Sequence, residues 1–347
     1  MSTSALDAYL QTRVSIFRSN LIEPDEFERR IDVPVEEGLA RLVPSAIDSE
    51  SEGGIADPLV VERALYNMLR LELAVLLRPL SGAARDFLFF WANRFDVLNL
   101  KAIIRGRLRD VPQEEIAKNL FDMPPFTTLP IEQLLRTENV QELLRQLEGG
   151  RYADIAGPAR RVLEEKHDLL AVDATLDQRY YAGLHSRTEK LAPRDRTEIV
   201  GLVGTRIDHL NLAWIIRYRF AYGLSPSETY YLLIPHGRTL HRDRLLALVE
   251  AVECHKLREQ LSESYGDWLC NADDPLSVEN LLDERMRQAA TAVLVNGQSA
   301  LARAYAYLYL REKDIRRLLA IVRGKHFGLA PAVIRHAVLG APPTTVQ

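Results

Sequence analysis

Asp96-Val-Leu-Asn99-Leu100-Lys-Ala-Ile103-Ile104-Arg105-Gly-Arg107 returns, varied, as Asp208-His-Leu-Asn211-Leu212-Ala-Trp-Ile215-Ile216-Arg217-Tyr-Arg219. It returns again as Asp314-Ile-Arg-Arg317-Leu318-Leu-Ala-Ile321-Val322-Arg323-Gly-Lys325. Each copy sets an Asp, then an Arg nine residues on, then a second cation two residues beyond. The copies begin 112 and 106 residues apart. Self-similarity at a near-fixed period marks a fold made by stacking or ringing one unit. Three copies of one helical unit point to a scaffold before they point to an enzyme.

On a helix, Asp96, Leu100, Ile103 and Arg107 share one face and Arg105 points the other way. Phe95, Val97, Leu98, Ala102 and Ile104 fill much of the remaining circumference, which is the pattern of a helix buried among others. A carboxylate there is costly unless paired. Asp96 and Arg107 lie about 16 Å apart along a helix axis, too far to pair with each other. Basic groups or free N–H groups on a neighbouring helix of the same unit are the expected partners. The repeated set is therefore read as fold-defining: Asp96, Asn99, Arg105; Asp208, Asn211, Arg217; Asp314, Arg317, Arg323. The three arginines are expected to hold the units in shape.

The 347 residues allow two or three modest domains or one repeat array. Hydrophobic residues make up 47% and charged residues 27%, an ordinary globular balance. A net charge of −4 and a pI near 6.1 supply no global field for nucleic acid or an anionic membrane. Cys254 and Cys270 are too few to staple the chain, which suits a reducing compartment. The opening Met-Ser-Thr-Ser-Ala-Leu-Asp lacks secretory character. The longest apolar stretch, near Leu71 to Leu80, is broken by Glu72, Arg78 and Pro79, so no spanning helix is expected.

Apolar residues recur at three and four, and no stretch alternates as a strand would, so the predicted class is all-α. The first helix of each unit is placed near Val61-Glu62, Leu176-Asp177 and Leu282-Asp283. From these acids to the motif arginine the separations are 43, 40 and 40 residues. Gly106 and Pro112, Gly223 and Pro226, and Gly328 and Pro331 punctuate the ends. Linkers are read at Ser49 to Pro58, Phe121 to Pro130, Ile234 to Arg238 and Asn271 to Pro275. The resulting division is 1–150 for an N-terminal segment and first repeat, 151–262 for the second, and 263–347 for the third.

Reactive constellations are scarce. His236, His241, Cys254, His255 and Cys270 fit no compact zinc spacing, so no metal is expected. Glu28, Glu36, Glu37, Glu62, Asp177 and Asp283 read as helix-start acids rather than a catalytic pair. The sequence holds no Gly-x-x-x-x-Gly-Lys-Ser/Thr phosphate loop and no Gly-x-Ser-x-Gly elbow. Arg311, Lys313, Arg316, Arg317, Arg323, Lys325 and His326 read as a solvated or interface charge set, and neighbouring Tyr305, Tyr307, Tyr309 and Phe327 as packing residues. No cofactor, nucleic acid or small-molecule substrate is expected.

The triplicated Asp-x-x-Asn-Leu-x-x-Ile-Ile-Arg phrase, together with Leu233-Ile-Pro-His-Gly-Arg-Thr-Leu240, resembles the central-stalk subunit of V-type and A-type rotary ATPases. This family goes by the letter C in bacteria and archaea and d in eukaryotes. The resemblance runs from about residue 5 to 340; Arg317 replaces Asn in the third copy and Tyr218 replaces Gly in the second. Neither change is expected to disturb the helical pattern. What the resemblance implies is a funnel of three similar helical units about a pseudo-threefold axis, peripheral on the cytoplasmic face of the membrane. Its implied partners are the central shaft subunits and the membrane proteolipid ring, and its implied role is non-catalytic transmission of torque. A free-standing helical-repeat module that binds other proteins is the alternative from a different class.

Overall fold

The computed structural model describes residues 3–39, 42, 57–166, 168–265 and 275–340. Every regular element among the described residues is helical. The linker expected at 49–56, the junction at 271–274 and Cys270 lie outside the described residues. In chain order the α-helices are α1 (Thr3–Phe17), α2 (Pro24–Asp32), α3 (Val35–Leu39), α4 (Pro58–Leu77), α5 (Gly82–Leu108), α6 (Gln113–Lys118), α7 (Ile131–Leu135), α8 (Val140–Leu147) and α9 (Ala153–Lys166). Then come α10 (Leu169–Thr188), α11 (Pro193–Ile215), α12 (Pro226–Leu232), α13 (Arg242–Val249), α14 (Cys254–Tyr265), α15 (Pro275–Asn296), α16 (Ala300–His326) and α17 (Pro331–Leu339).

The chain divides into two compact units: Met1–Leu80 with Arg287–Gln347, and Ser81–Met286. In the first, α16 packs against α1, α4, α17 and α2. In the second, α10 packs on α5, α9 and α11, while α12 packs on α13. The three motif copies lie on α5, α11 and α16, the long helices of their units.

Local chemistry sets the boundaries. Asp57 accepts the N–H of Leu59 and precedes Pro58 at the first turn of α4. Asp168 caps α10 through the N–H groups of Leu170 and Ala171. Ser225 and Glu228 form a reciprocal capping box at the start of α12. Ser299 caps α16 through Ala302. Gly340 closes α17 at φ 71°, a left-handed conformation that glycine adopts without a Cβ penalty. The motif helices are buried on most sides: Trp91, Phe95, Ile103 and Ile104 on α5, and Tyr307, Leu308, Ile315 and Leu318 on α16, lose nearly all exposure.

Two expectations need correcting here. Pro193–Ala221 is long and apolar enough to pass for a membrane span, with mean hydropathy 1.2 over its best window, which the reading of Leu71 to Leu80 passed over. Since 67% of that window is buried against the protein itself, a core helix accounts for it equally well. The Gly-to-Tyr change at 218 does disturb the helix: Ile216–Ala221 winds as a π-helix. The reason lies in the other two copies. A Cβ at Gly106 would stand 2.5 Å from Ile116 Cδ1, and one at Gly324 would stand 2.7 Å from Ile334 Cγ1. In those copies the following helix rests directly on the glycine. Tyr218 cannot be approached that closely, and the widened turn is where the second copy absorbs its bulk.

Candidate functional site: the repeated motif helix

In the first copy Asp96, 1% exposed, accepts the N–H of Thr128 at 3.0 and 3.1 Å and that of Leu129 at 3.4 Å. Tyr152 donates its hydroxyl to the same carboxylate. Three residues along, Asn99 Oδ1 accepts the N–H of Phe121 at 2.7 Å, and its amide donates to the Phe121 carbonyl at 2.8 Å. The proline-broken stretch from Phe121 to Pro130 has no ladder of its own here. A turn at Met123–Thr127 serves its middle, and the helix supplies hydrogen bonds to its two ends, at Phe121 and at Thr128 and Leu129.

The second copy repeats this scheme. Asp208 accepts from Thr239 N–H at 2.7 Å and Leu240 N–H at 3.1 Å. Asn211 accepts from Ile234 N–H and donates to the Ile234 carbonyl, both at 2.8 Å. A Cβ on Gly237 would fall 2.0 Å from Asp208 Oδ1, so the Pro-His-Gly turn needs its glycine to approach the carboxylate.

In the third copy Asp314 accepts the N–H of Ile22 at 3.0 Å, a residue 292 positions earlier. Arg317, in the place of Asn99 and Asn211, sits with its guanidinium 5.6 Å above the Phe27 ring. The N-terminal stretch thus stands where the following loop stands in the other copies. It is joined to α16 by a further buried cluster. Glu72 receives the Tyr307 hydroxyl at 2.8 Å and the Asn20 amide at 3.0 Å, and Arg311 Nε lies 3.4 Å away. Arg311, with 0% exposure, also donates to the Asn20 carbonyl at 2.9 Å.

The second cations also behave alike. Arg107 donates to the carbonyls of Thr137 and Glu138, just past α7. Arg219 donates to Val249 at the end of α13, at 2.8 Å, and to Leu224. Lys325 donates to Arg30 at 2.8 Å and to Val33, at the end of α2. Each cation meets the negative end of a short helix. By this correspondence α2 is to the third copy what α7 and α13 are to the first and second.

The first cations reach to the first helix of the next repeat. Arg105 pairs with Asp173 on α10, Nε to Oδ2 at 3.0 Å; Arg217 pairs with Glu279 on α15; Arg323 pairs with Glu62 on α4 at 2.6 Å. First copy goes to second, second to third, and third to first. Asp177 and Asp283 lie one helical turn beyond Asp173 and Glu279 and pair with Lys101 at 2.6 Å and Arg206 at 3.2 Å. Since the three arginine side chains are 42–49% exposed, each pair contributes no more than about 1 kcal/mol. The buried Asp and Asn carry more weight, because their loss orphans backbone N–H groups.

Burial raises the carboxyls of Asp96 and Asp314 above their ordinary range. For Asp96 the Tyr152 hydroxyl and the loop N–H groups oppose that rise. Asp314 is pushed up to about 7, against the Ile22 N–H and the charges of Arg311, Arg317 and Arg287. Burial likewise raises Asp177 against its Lys101 partner, and lowers His209 to about 4. Lys325 is lowered by burial, with Asp32 and Glu36 opposing.

The remaining sequence candidates scatter. His236 stacks on His185 at 4.5 Å, and His255 sits beside Glu253 at 3.0 Å. No group of three or more His, Cys, Asp or Glu side chains fit to hold a metal is found among the described residues. Glu28 pairs with Arg335, and Arg316 with Glu312. The expectation that Arg311 belongs to a solvated or interface charge set is overturned: it is fully buried, against Glu72 and the Asn20 carbonyl. Sequence reasoning gave no role to Glu72, Tyr152, Asp173 and Glu279. Glu72 was legible as a charge inside an apolar helical run; the others show no local signal.

The sequence profile of the ATP synthase (C/AC39) subunit family matches residues 10–337. The C subunit of the A-type ATP synthase of Thermococcus kodakarensis is 26% identical over 80% of this chain and 74% of its own length. Its counterpart in Methanosarcina mazei is 24% identical over 94% of this chain and 91% of its own. That of Halobacterium salinarum is 24% identical over 93% and 94%.

Proposed function

The chain belongs to the ATP synthase (C/AC39) subunit family, and from that premise we propose that it links the rotating shaft of the soluble head to the proteolipid ring in the membrane. It is a non-catalytic central-stalk subunit of an A-type rotary ATP synthase, and so part of a membrane-associated complex. The finer placement, on the cytoplasmic face with shaft subunits at one end and the ring at the other, is our reading.

The observation that carries it is the order of the three arginine pairs, first to second, second to third and third to first. That order suits three repeats, 1–150, 151–262 and 263–347, each tied to the next, with Ser19 to Leu39 serving the third motif helix. A transmission element needs stiffness and two contact surfaces rather than a reactive centre. Long helices in close-packed surroundings deform little, so torque entering at one end leaves at the other. The motif residues are then structural: Asp96, Asn99, Asp208, Asn211 and Asp314 fasten each helix to its own unit. Arg105, Arg217 and Arg323 fasten unit to unit.

Affinity capture of the tagged full-length protein from detergent-solubilised membranes of its source, followed by mass spectrometry, tests this reading. Nucleotide-binding head subunits and a small proteolipid are expected with it. Recovery of the bait alone, from cells that hold an intact rotary ATPase, would overturn the adaptor role.

A further inference from the structure

Within the unit Ser81–Met286, a cavity of about 800 Å³ opens between α10, α12 and the turn leading into α13. Ile234 and Leu240 back it with no exposure, and Leu233 and Leu245 with nearly none, so its accessible apolar surface is the tyrosine wall. Tyr230 and Tyr231 stand on the wall, and Gln178 fixes that wall by donating to the Tyr231 carbonyl at 2.7 Å and the Leu233 carbonyl at 2.8 Å. Tyr231 is 50% exposed, with Lys166 Nζ 4.0 Å from its ring.

The lining is one-sided in charge. It includes Arg179, Arg242, His236 and His241 and no carboxylate, in a chain that carries 48 acidic residues against 44 basic ones. Neither Arg179 nor Arg242 forms an ion pair among the described residues, whereas the motif arginines 105, 217 and 323 all do. Glu228, on the same helix as Tyr230, is turned to Ser225 in the capping box. Two unpaired guanidiniums beside a tyrosine wall favour an occupant that brings carboxylates and an apolar side chain together.

We propose that this cavity is the docking site for a short acidic segment of a partner protein. Its carboxylates meet Arg179 and Arg242, and an adjacent apolar side chain lies against the rings of Tyr230 and Tyr231. The inference rests on the adaptor reading only in expecting that partner inside the same ATPase complex.

The test places p-benzoylphenylalanine at Tyr231 of the full-length protein and irradiates living cells of the source before lysis. Cross-linked peptides and co-captured subunits are then read from one preparation. The expected result is one cross-link to a protein segment rich in Asp and Glu. Its yield should fall about tenfold or more in the R179E/R242E background and hold in an R161E control, with the melting temperature of all three unchanged. A cross-link to a segment without carboxylates, to a second copy of this chain or to no protein would overturn the proposal, as would a yield indifferent to R179E/R242E. Co-capture of head and ring subunits reports on the adaptor role separately, so the two readings can fail independently.

Discussion

The first two motif helices grip loops that follow them in the chain, whereas the third grips the chain's own beginning. Asp96 and Asp208 each hold backbone N–H groups 31 to 33 residues ahead, and Asn99 and Asn211 hold both sides of one peptide 22 or 23 residues ahead. Asp314 holds Ile22, and the Asn is gone. In its place the third copy has Arg317 over Phe27 and the buried Glu72–Arg311–Tyr307 cluster. The same mechanical task is thus done locally twice and by long-range closure once. A local grip is expected to survive loss of the chain ends, and the third is not.

Removing residues 1–23 breaks that asymmetry most severely. It takes away Leu10, Val14 and Ile22, all buried, which is worth roughly 5 kcal/mol or more by apolar burial alone. Limited proteolysis should then cut α16 early and leave α5 and α11 intact. Equal resistance in both units would show that the third copy does not depend on the N-terminus. Asp208→Ala comes next. It orphans the N–H groups of Thr239 and Leu240 and should cost about 2–4 kcal/mol in urea unfolding, and a midpoint within error of wild type would contradict the role given to the carboxylate.

Gly324→Ala sharpens the comparison between copies. Its Cβ would meet Ile334, so a loss of about 1–3 kcal/mol is expected. Ile334→Ala in the same chain should recover part of it, and no recovery would mean that the strain lies elsewhere.

A pH dependence is expected of Asp314. Its folded carboxyl titrates near 7 against an ordinary 3.8, so the folded state holds a proton that the unfolded chain has released. That contribution is complete below 3.8, declines as pH rises, and is gone once pH passes 7. Wild type should therefore lose about 2 kcal/mol more than Asp314→Asn between pH 5 and pH 8. Parallel stability curves for the two would refute the shift. The smallest effect expected is that of Arg105→Ala, under about 1 kcal/mol and weaker still in high salt.

Much of this was legible in the sequence. The motif's period and its all-round apolar character identified α5, α11 and α16 as buried helices, and glycine and proline marked the turns after them. The family resemblance rested on the same residues. Partner identity was harder to read. Nothing in the sequence named Asp173 and Glu279 as partners of the motif arginines, because separations in sequence do not encode the sliding of one helix along its neighbour. The third copy's loop was illegible for a plainer reason: it lies at the other end of the chain, and nothing near Asp314 points there. The π-helix at Ile216–Ala221 was visible only as a residue change, since its cause is the closeness of the next helix in the other two copies.

Hydrogen exchange on Ile22→Pro tests the central claim most directly. The substitution removes the Ile22 N–H that Asp314 accepts, and Leu21 already has ψ 146°, as a residue before proline requires. The account predicts that amides around Asp314 in α16 lose about tenfold or more of their protection, while those of α5 and α11 exchange as in wild type. Unchanged protection in α16, or an equal loss in all three helices, would contradict it.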